Sequence, residues 1–306
     1  MIDMPVSDSI QPINLPDITP ETAREHARHL FELVRQYMSS DDAASIEQAF
    51  SLAQAACGET RGNKRLALIE HALAIAMILA EMHIDAIGVT SGLIFEAVDA
   101  ELLSLEQVEA ALGVSVARVV GSMLRLNILE RKKKSMAQVR KSANGEGDAS
   151  REQKKQRIRE SLQRQQAETV RKMFFAMAED PRVVLLKLAY RLHAMRLIVA
   201  KQYPVDAQEM QVMAQETREI YAPLAGRLGM SRVESELDDL AFEVLEPEKY
   251  AWSRQQIEAE RTQWSDYVDR VCGVLRDEMQ ALGLHTEVSG LSLIHISEPT
   301  RQAETS

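Results

Sequence analysis

The stretch KRLALIEHALAIAMILAEM, residues 64 to 82, decides the fold class of this chain. Its large apolar side chains recur every three or four residues, at Leu66, Ile69, Leu73 and Met77, which is the spacing of one helix face. Ala is frequent while Gly and Pro are absent, so intrinsic preference also favours a helix. Because such a helix is too apolar on one side to be stable alone, the stretch predicts a helix packed inside a bundle.

The same spacing recurs along the chain and predicts an all-α fold. Thr19 or Thr22 is the expected N-cap of the first helix, which begins near Pro20. Breaks are expected near Gly113 and at Asp180-Pro181. The further helices are predicted at about 43–57, 64–82, 86–100, 106–130, 173–199, 205–228, 231–245 and 251–282.

Composition narrows the class of protein. At 306 residues the chain can form one or two domains, and no apolar run reaches the roughly 18 residues of a membrane span. The N-terminus has no basic region before an apolar segment, so we expect a soluble, cytoplasmic protein without a membrane partner. Cys57 and Cys272 are far apart and are expected to be unpaired buried thiols.

The seven histidines are the first place to look for chemistry. His26 and His29 lie among charged residues and are interpreted as part of a solvated helix face. His71 and His193 each lie in an apolar helix, so they can meet in the core, where a buried polar group needs a partner. The sequence contains no glycine-rich phosphate loop, HExxH motif, cysteine cluster or nucleophile elbow.

Lys and Arg are in excess over residues 131 to 172, which include Lys132, Lys133 and Lys134. One interpretation is a solvated loop followed by a charged helix face. The other is a surface that binds RNA or another anionic partner, although the scarcity of aromatic residues disfavours base stacking.

The stretch EIYAPLAGRLGMSRVESELDDLAFEVLEPEKY, residues 219–250, closely resembles the helical segment of long RelA/SpoT homologues, which make and degrade (p)ppGpp. The resemblance extends from about residue 43 to Gly290. It implies an N-terminal HD-type helical bundle that hydrolyses (p)ppGpp with a manganese ion, held by a His, an adjacent His-Asp pair and a later Asp. A Glu-Asp pair beside the metal would handle the attacking water.

This chain departs from that pattern at almost every position of the implied site. His71 matches the first ligand. Phe95 and Glu96 occupy the positions of the His-Asp pair, and Asp99 and Ala100 occupy those of the Glu-Asp pair. In KLAYRLHAMR, Tyr190 replaces the later Asp, and Ala194, after His193, replaces a nucleotide-contacting Asn. The purine-contacting stretch before His71 reads RGNKRLALIEH and lacks the family's Pro and Tyr. We therefore expect no catalytic residues, no metal and no hydrolase activity.

That combination resembles the monofunctional synthetase branch of the family, the GTP pyrophosphokinases. The resemblance implies a protein that transfers pyrophosphate from ATP to GDP or GTP with Mg²⁺, and that binds the ribosome carrying an uncharged tRNA. The bundle would then act as a regulatory partner, in cis, of a synthetase domain. The alternatives are a residual HD phosphohydrolase using His71, Glu96, Asp99 and His193, and an RNA- or ribosome-binding module at 131–172.

The C-terminal stretch SGLSLIHISEPTRQAETS, residues 289–306, follows the family pattern only as far as Gly290. The string LSLIHISEPTR matches a translated sequencing adaptor, so we expect a truncated fragment without the synthetase domain. The predicted organisation is a flexible leader (1–20), a degenerate HD domain (21–200), a helical connector (201–290) and an adaptor-derived tail (291–306).

Overall fold

The computed structural model describes residues 20–57, 63–143, 180–203 and 205–281. Every regular element in those ranges is helical, which confirms the all-α prediction. The helices are α1 (Pro20–Arg35), α2 (Ser40–Cys57), α3 (Asn63–Glu81), α4 (Ala86–Asp99), α5 (Leu105–Leu112), α6 (Val114–Ala143), α7 (Pro181–Val199), α8 (Ala207–Glu216), a π-helical turn (Thr217–Tyr221), α9 (Ala222–Arg227), α10 (Ser231–Leu245) and α11 (Pro247–Ala281).

The chain divides into two compact units, and the boundary falls between Glu209 and Met210. In the first unit α4 is the central helix, because it packs against α2, α3, α6 and α7. All residues from Gly88 to Val98 are buried, as expected of a helix that is apolar on every side. Gly92 allows the close approach of α3, since a Cβ there would lie 2.8 Å from Leu79 Cδ1.

Asp85 and Asp180 are the N-caps of helices α4 and α7, and Arg182 binds both of them. Asp85 accepts a hydrogen bond from the Gly88 amide at the start of α4, and Asp180 accepts one from the Arg182 amide at the start of α7. The Arg182 guanidinium donates to both Asp85 carboxylate oxygens, at 2.6 to 3.0 Å, and to Asp180 Oδ2 at 3.0 Å. The N-termini of α4 and α7 are therefore fixed to each other.

In the second unit, a π-helical turn interrupts the segment predicted as one helix over 205–228. The Ala222 amide donates to the Thr217 carbonyl, five residues earlier. Pro223 explains the widening, because it has no N–H to continue the α-helical ladder and its ring would clash with the carbonyl four residues before it. Helices α9, α10 and α11 follow, with α10 packed between the other two.

Three predictions need correction. Of the two N-cap candidates, Thr22 is excluded because α1 begins at Pro20 and Thr22 is a residue of that helix, while Thr19 lies outside the described residues. Helix α6 does not end near residue 130 but continues to Ala143, so Lys132 to Lys134 lie on a helix. Cys272 is only partly buried, whereas Cys57 is buried and both are free thiols.

Residues 1–19 of the predicted leader, residues 144–172 of the basic segment and the tail at 291–306 lie outside the described residues. The division at 21–200 and 201–290 stays a prediction. No helix in the described part of the chain is both long and apolar enough to cross a membrane.

Candidate functional site

Three mutually packed helices bring most of the predicted site residues together. Helix α3 supplies His71, α4 supplies Phe95 and Glu96, and α7 supplies Tyr190 and His193. Each of these helices contacts the other two. Helix α4 is buried throughout its centre, so its side chains there lie inside the bundle. The apolar faces of α3 and α7 are turned towards α4, and they carry His71, Tyr190 and His193.

His71 and Glu96 form the polar centre of this cluster. The His71 Nδ1 lies 3.0 Å from Glu96 Oε1, and both side chains are largely buried, with 13% and 9% of their surface exposed. The Glu96 carboxylate can accept a hydrogen bond from His71 when Nδ1 carries the proton. The arrangement can orient a histidine base, but it contributes only one imidazole and one carboxylate.

Phe95 and Tyr190 form an aromatic pair beside that centre. Phe95 is 1% exposed, and its ring packs edge-to-face against Tyr190 with the centroids 5.3 Å apart. The Tyr190 ring also lies 5.5 Å from that of His71. Burial, followed by the charge of Glu96, raises the pKa of the Tyr190 phenol well above its ordinary value. The hydroxyl is buried near the Glu96 carboxylate without a hydrogen bond of ordinary geometry among the described residues.

His193 lies on the other side of His71, with the ring centroids 4.7 Å apart. Burial lowers the pKa of His193 to about 3, and the charges of His71 and Arg196 act in the same direction. Its Nε2 is buried and has no hydrogen-bond partner in the described part of the chain. His193 is therefore neutral near pH 7, so it cannot donate a proton as an imidazolium ion at that pH.

The remaining predicted residues lie at different places. Asp99 is partly buried at the end of α4, and its charge contributes to the raised pKa of Tyr190. Ala194 is buried on α7 directly after His193 and offers no polar group. Lys132, Lys133 and Lys134 lie on α6 rather than on the three helices of the cluster.

The donor atoms of the cluster do not fit a divalent metal ion. No three His, Cys, Asp or Glu side chains within the described ranges are placed to hold one. A hard cation needs several nitrogen or oxygen ligands, yet the Phe95 ring is apolar and the raised pKa keeps Tyr190 a neutral phenol at pH 7. The cluster is consequently an aromatic and polar core with one His–Glu pair.

Sequence reasoning missed a second buried carboxylate next to His71. Glu70 is 8% exposed and accepts a hydrogen bond from the Thr22 hydroxyl at 3.3 Å. His26 Nδ1 lies 2.7 Å from the other Glu70 oxygen, although 60% of the His26 side chain is exposed. His26 is thus on a solvated helix face, as predicted, but it also pairs with Glu70. The signal in the sequence is an acidic residue, Glu70, inside the apolar stretch of α3, because a buried carboxylate needs a polar partner.

Comparison with known proteins identifies the fold family. The family model described as "HD domain" matches residues 49–231, which is more than half of the chain. The chain belongs to the HD domain family. The match includes α3, α4 and α7, so the His71 cluster occupies the interior of this HD domain.

Individual relatives support the resemblance to RelA/SpoT homologues. This HD-domain chain is 30% identical over 262 residues to the bifunctional (p)ppGpp synthase/hydrolase SpoT of Escherichia coli K12, an overlap of 85% of this chain and 33% of that protein. It is 31% identical over 258 residues to the GTP pyrophosphokinase of Myxococcus xanthus, covering 84% of this chain and 30% of that one. It is 32% identical over 248 residues to the GTP pyrophosphokinase of Streptomyces coelicolor, covering 80% and 25%. The chain spans a third or less of the length of these curated relatives.

Proposed function

We propose that this HD domain takes part in (p)ppGpp metabolism as a hydrolase-inactive, regulatory module. The observation that carries the proposal is the packing of Phe95 against Tyr190, at 5.3 Å between centroids, beside the only His–Glu pair of the cluster. Aromatic rings fill the positions where the RelA/SpoT resemblance implies metal ligands. The names of the relatives, both (p)ppGpp hydrolases and GTP pyrophosphokinases, support the substrate class.

In this proposal the manganese site of active relatives is lost, and the bundle acts through its contacts. A rigid, close-packed domain can bias a neighbouring pyrophosphokinase domain between two states if it contacts them unequally. That domain would use ATP and GDP or GTP with Mg²⁺, and the whole protein would respond to the ribosome carrying uncharged tRNA. These partners follow from the resemblance.

A metal titration with back-substituted variants tests the loss of the site. Binding of Mn²⁺ to the full chain would be measured by electron paramagnetic resonance, beside a Phe95→His/Glu96→Asp/Tyr190→Asp variant. We expect no stoichiometric tight binding by the original chain, and stronger binding by the variant if it stays folded by circular dichroism. Stoichiometric micromolar binding by the original chain that disappears in His71→Gln would contradict the proposal.

The second candidate is a residual HD phosphohydrolase, favoured by the convergence of His71, Glu96 and His193 and by the hydrolase names of several relatives. This candidate predicts slow release of pyrophosphate from (p)ppGpp. The activity would fall at least tenfold in His71→Gln and in Glu96→Gln, and would be unchanged in His29→Gln, an exposed control on α1. Equal activity of all four proteins would indicate a contaminating enzyme and exclude this candidate.

A further inference from the structure

The C-terminal part of helix α11 exposes large apolar side chains. Val271, Val274 and Leu275 are 39%, 63% and 46% exposed. Their spacing of three and four residues places all three on one face of the helix. Single exposed apolar residues are common on protein surfaces, but a contiguous group on one face marks an interaction surface.

Helix α10 is too short to cover this face. It packs on the start of α11, where the ring centroids of Phe242 and Tyr250 are 5.6 Å apart. Val271 follows Tyr250 by 21 residues, or about 30 Å along the axis of α11. The 15 residues of α10 span only about 22 Å. The face at Val271 therefore lies beyond the part of α11 on which α10 packs.

The charges beside this face are ordered so that a second copy of the chain complements them. Arg270 and Asp277 are both exposed and are seven residues apart, so they lie on the same edge of the face. In an antiparallel pair with Val271 of one copy opposite Val274 of the other, each Arg270 lies beside the Asp277 of the second copy. The same register places the two Leu275 side chains next to each other on the opposite edge. In a parallel pair Arg270 would instead lie beside the apolar Leu275.

The balance of charge in residues 270–281 distinguishes a second copy from other occupants. These residues include two arginines and two acidic residues, so they carry no net charge. Nucleic acid and anionic lipid both favour a surplus of Lys and Arg. Glu278 also lies on the apolar face, where lipid would leave its carboxylate without water. We infer that α11 binds the same helix of a second copy, antiparallel, through Val271, Val274 and Leu275, whether or not the HD domain hydrolyses (p)ppGpp.

Sedimentation equilibrium of the full chain, at protein concentrations from about 1 to 200 μM, measures this association. The test variants are Arg270→Asp, Asp277→Arg and the double exchange Arg270→Asp/Asp277→Arg. The matched control is Arg276→Asp, which makes the same change of charge on the same part of the helix but away from the apolar face. Circular dichroism verifies that all variants keep their helices. Vesicles of anionic lipid serve as a competing probe.

We expect a reversible dimer in the original chain and in Arg276→Asp. Each single exchange sets like charges against each other in both pairs of the dimer, so the dissociation constant should increase about tenfold. The double exchange restores opposite charges between the copies and should return the dissociation constant to within about threefold of the original value. Arg270 and Asp277 are about 10 Å apart along one helix, so a contact within a single chain cannot produce this restoration.

A chain that stays monomeric over the whole concentration range would overturn the inference, and sedimentation of that monomer with the vesicles would assign the face to lipid. Single exchanges that leave association unchanged, equal weakening by Arg276→Asp, or a double exchange that fails to restore association would also overturn it.

Discussion

The buried His193 predicts a specific dependence of stability on pH. Its pKa is lowered from 6.5 to about 3 in the folded chain, so the folded state resists protonation while the unfolded state accepts a proton below pH 6.5. The unfolded state therefore binds more protons throughout this window, and stability increases with pH there. The stabilising contribution is complete above about pH 6.5 and is lost as the pH falls towards 3.

The size of the effect follows from the same two values. Each pH unit well inside the window changes the free energy of unfolding by about 1.4 kcal/mol for one such histidine, and by less near pH 6.5, where the unfolded imidazole is only half protonated. Acidification from pH 6.5 to 4.5 should consequently cost roughly 2 kcal/mol from His193 alone, which is an appreciable part of the stability of an ordinary domain. Solvent screening reduces this value little, because only 9% of the His193 surface is exposed.

Urea unfolding at a series of pH values measures this dependence. The comparison is between the original chain, His193→Gln, which cannot titrate, and His29→Gln, which removes an exposed histidine. The slope between pH 6.5 and 4.5 should decrease in His193→Gln and stay unchanged in His29→Gln. Because His193→Gln also perturbs the packing of the core, NMR titration of the His193 ring in the original chain provides an independent measurement of its pKa. Equal slopes in the two variants, or an NMR midpoint near 6.5, would refute the reasoning.

Five further substitutions test the packing of the first unit, each by the free energy of unfolding. Phe95→Ala should cost about 3–5 kcal/mol because the ring is fully buried, and a loss under about 1 kcal/mol would show that the aromatic pair is not close-packed. Gly92→Ala should destabilise the first unit by roughly 1 kcal/mol or more, since its Cβ would meet Leu79. Gly121→Ala, where the nearest atom is 3.4 Å away, should be neutral or stabilising by up to about 1 kcal/mol. A double-mutant cycle of Asp85→Asn and Arg182→Gln should show coupling of about 1 kcal/mol or more, and zero coupling would mean that the bidentate contact is solvent-screened.

Most of the fold was predictable because the apolar spacing is regular. The helix predicted at 86–100 is observed as Ala86–Asp99, and the break expected at Asp180-Pro181 is the start of α7. The extension of α6 to Ala143 is not predicted, because a run of Lys and Arg is also typical of a solvated loop, although Lys and Arg are good helix formers. The π-helical turn before Pro223 follows from the missing N–H and the ring of that proline, which apolar spacing does not report.

The candidate site was predictable only in part. Burial of His71 and His193 on two apolar stripes predicted that they could meet, and the structure places their rings 4.7 Å apart. The Glu70 pairing with Thr22 and His26 was not predicted, because partners 44 and 48 residues apart leave no local pattern. The fit of Phe95 against Tyr190 likewise depends on the crossing of α4 and α7.

Hydrolysis of (p)ppGpp is the measurement that tests the central proposal most directly. The full chain and the Escherichia coli SpoT protein, as positive control, would be incubated with (p)ppGpp and Mn²⁺, and released pyrophosphate would be quantified over time. The proposal predicts release by SpoT and none above background by this chain. Turnover by this chain that His71→Gln abolishes would contradict it, since the aromatic pair would then coexist with a working hydrolase.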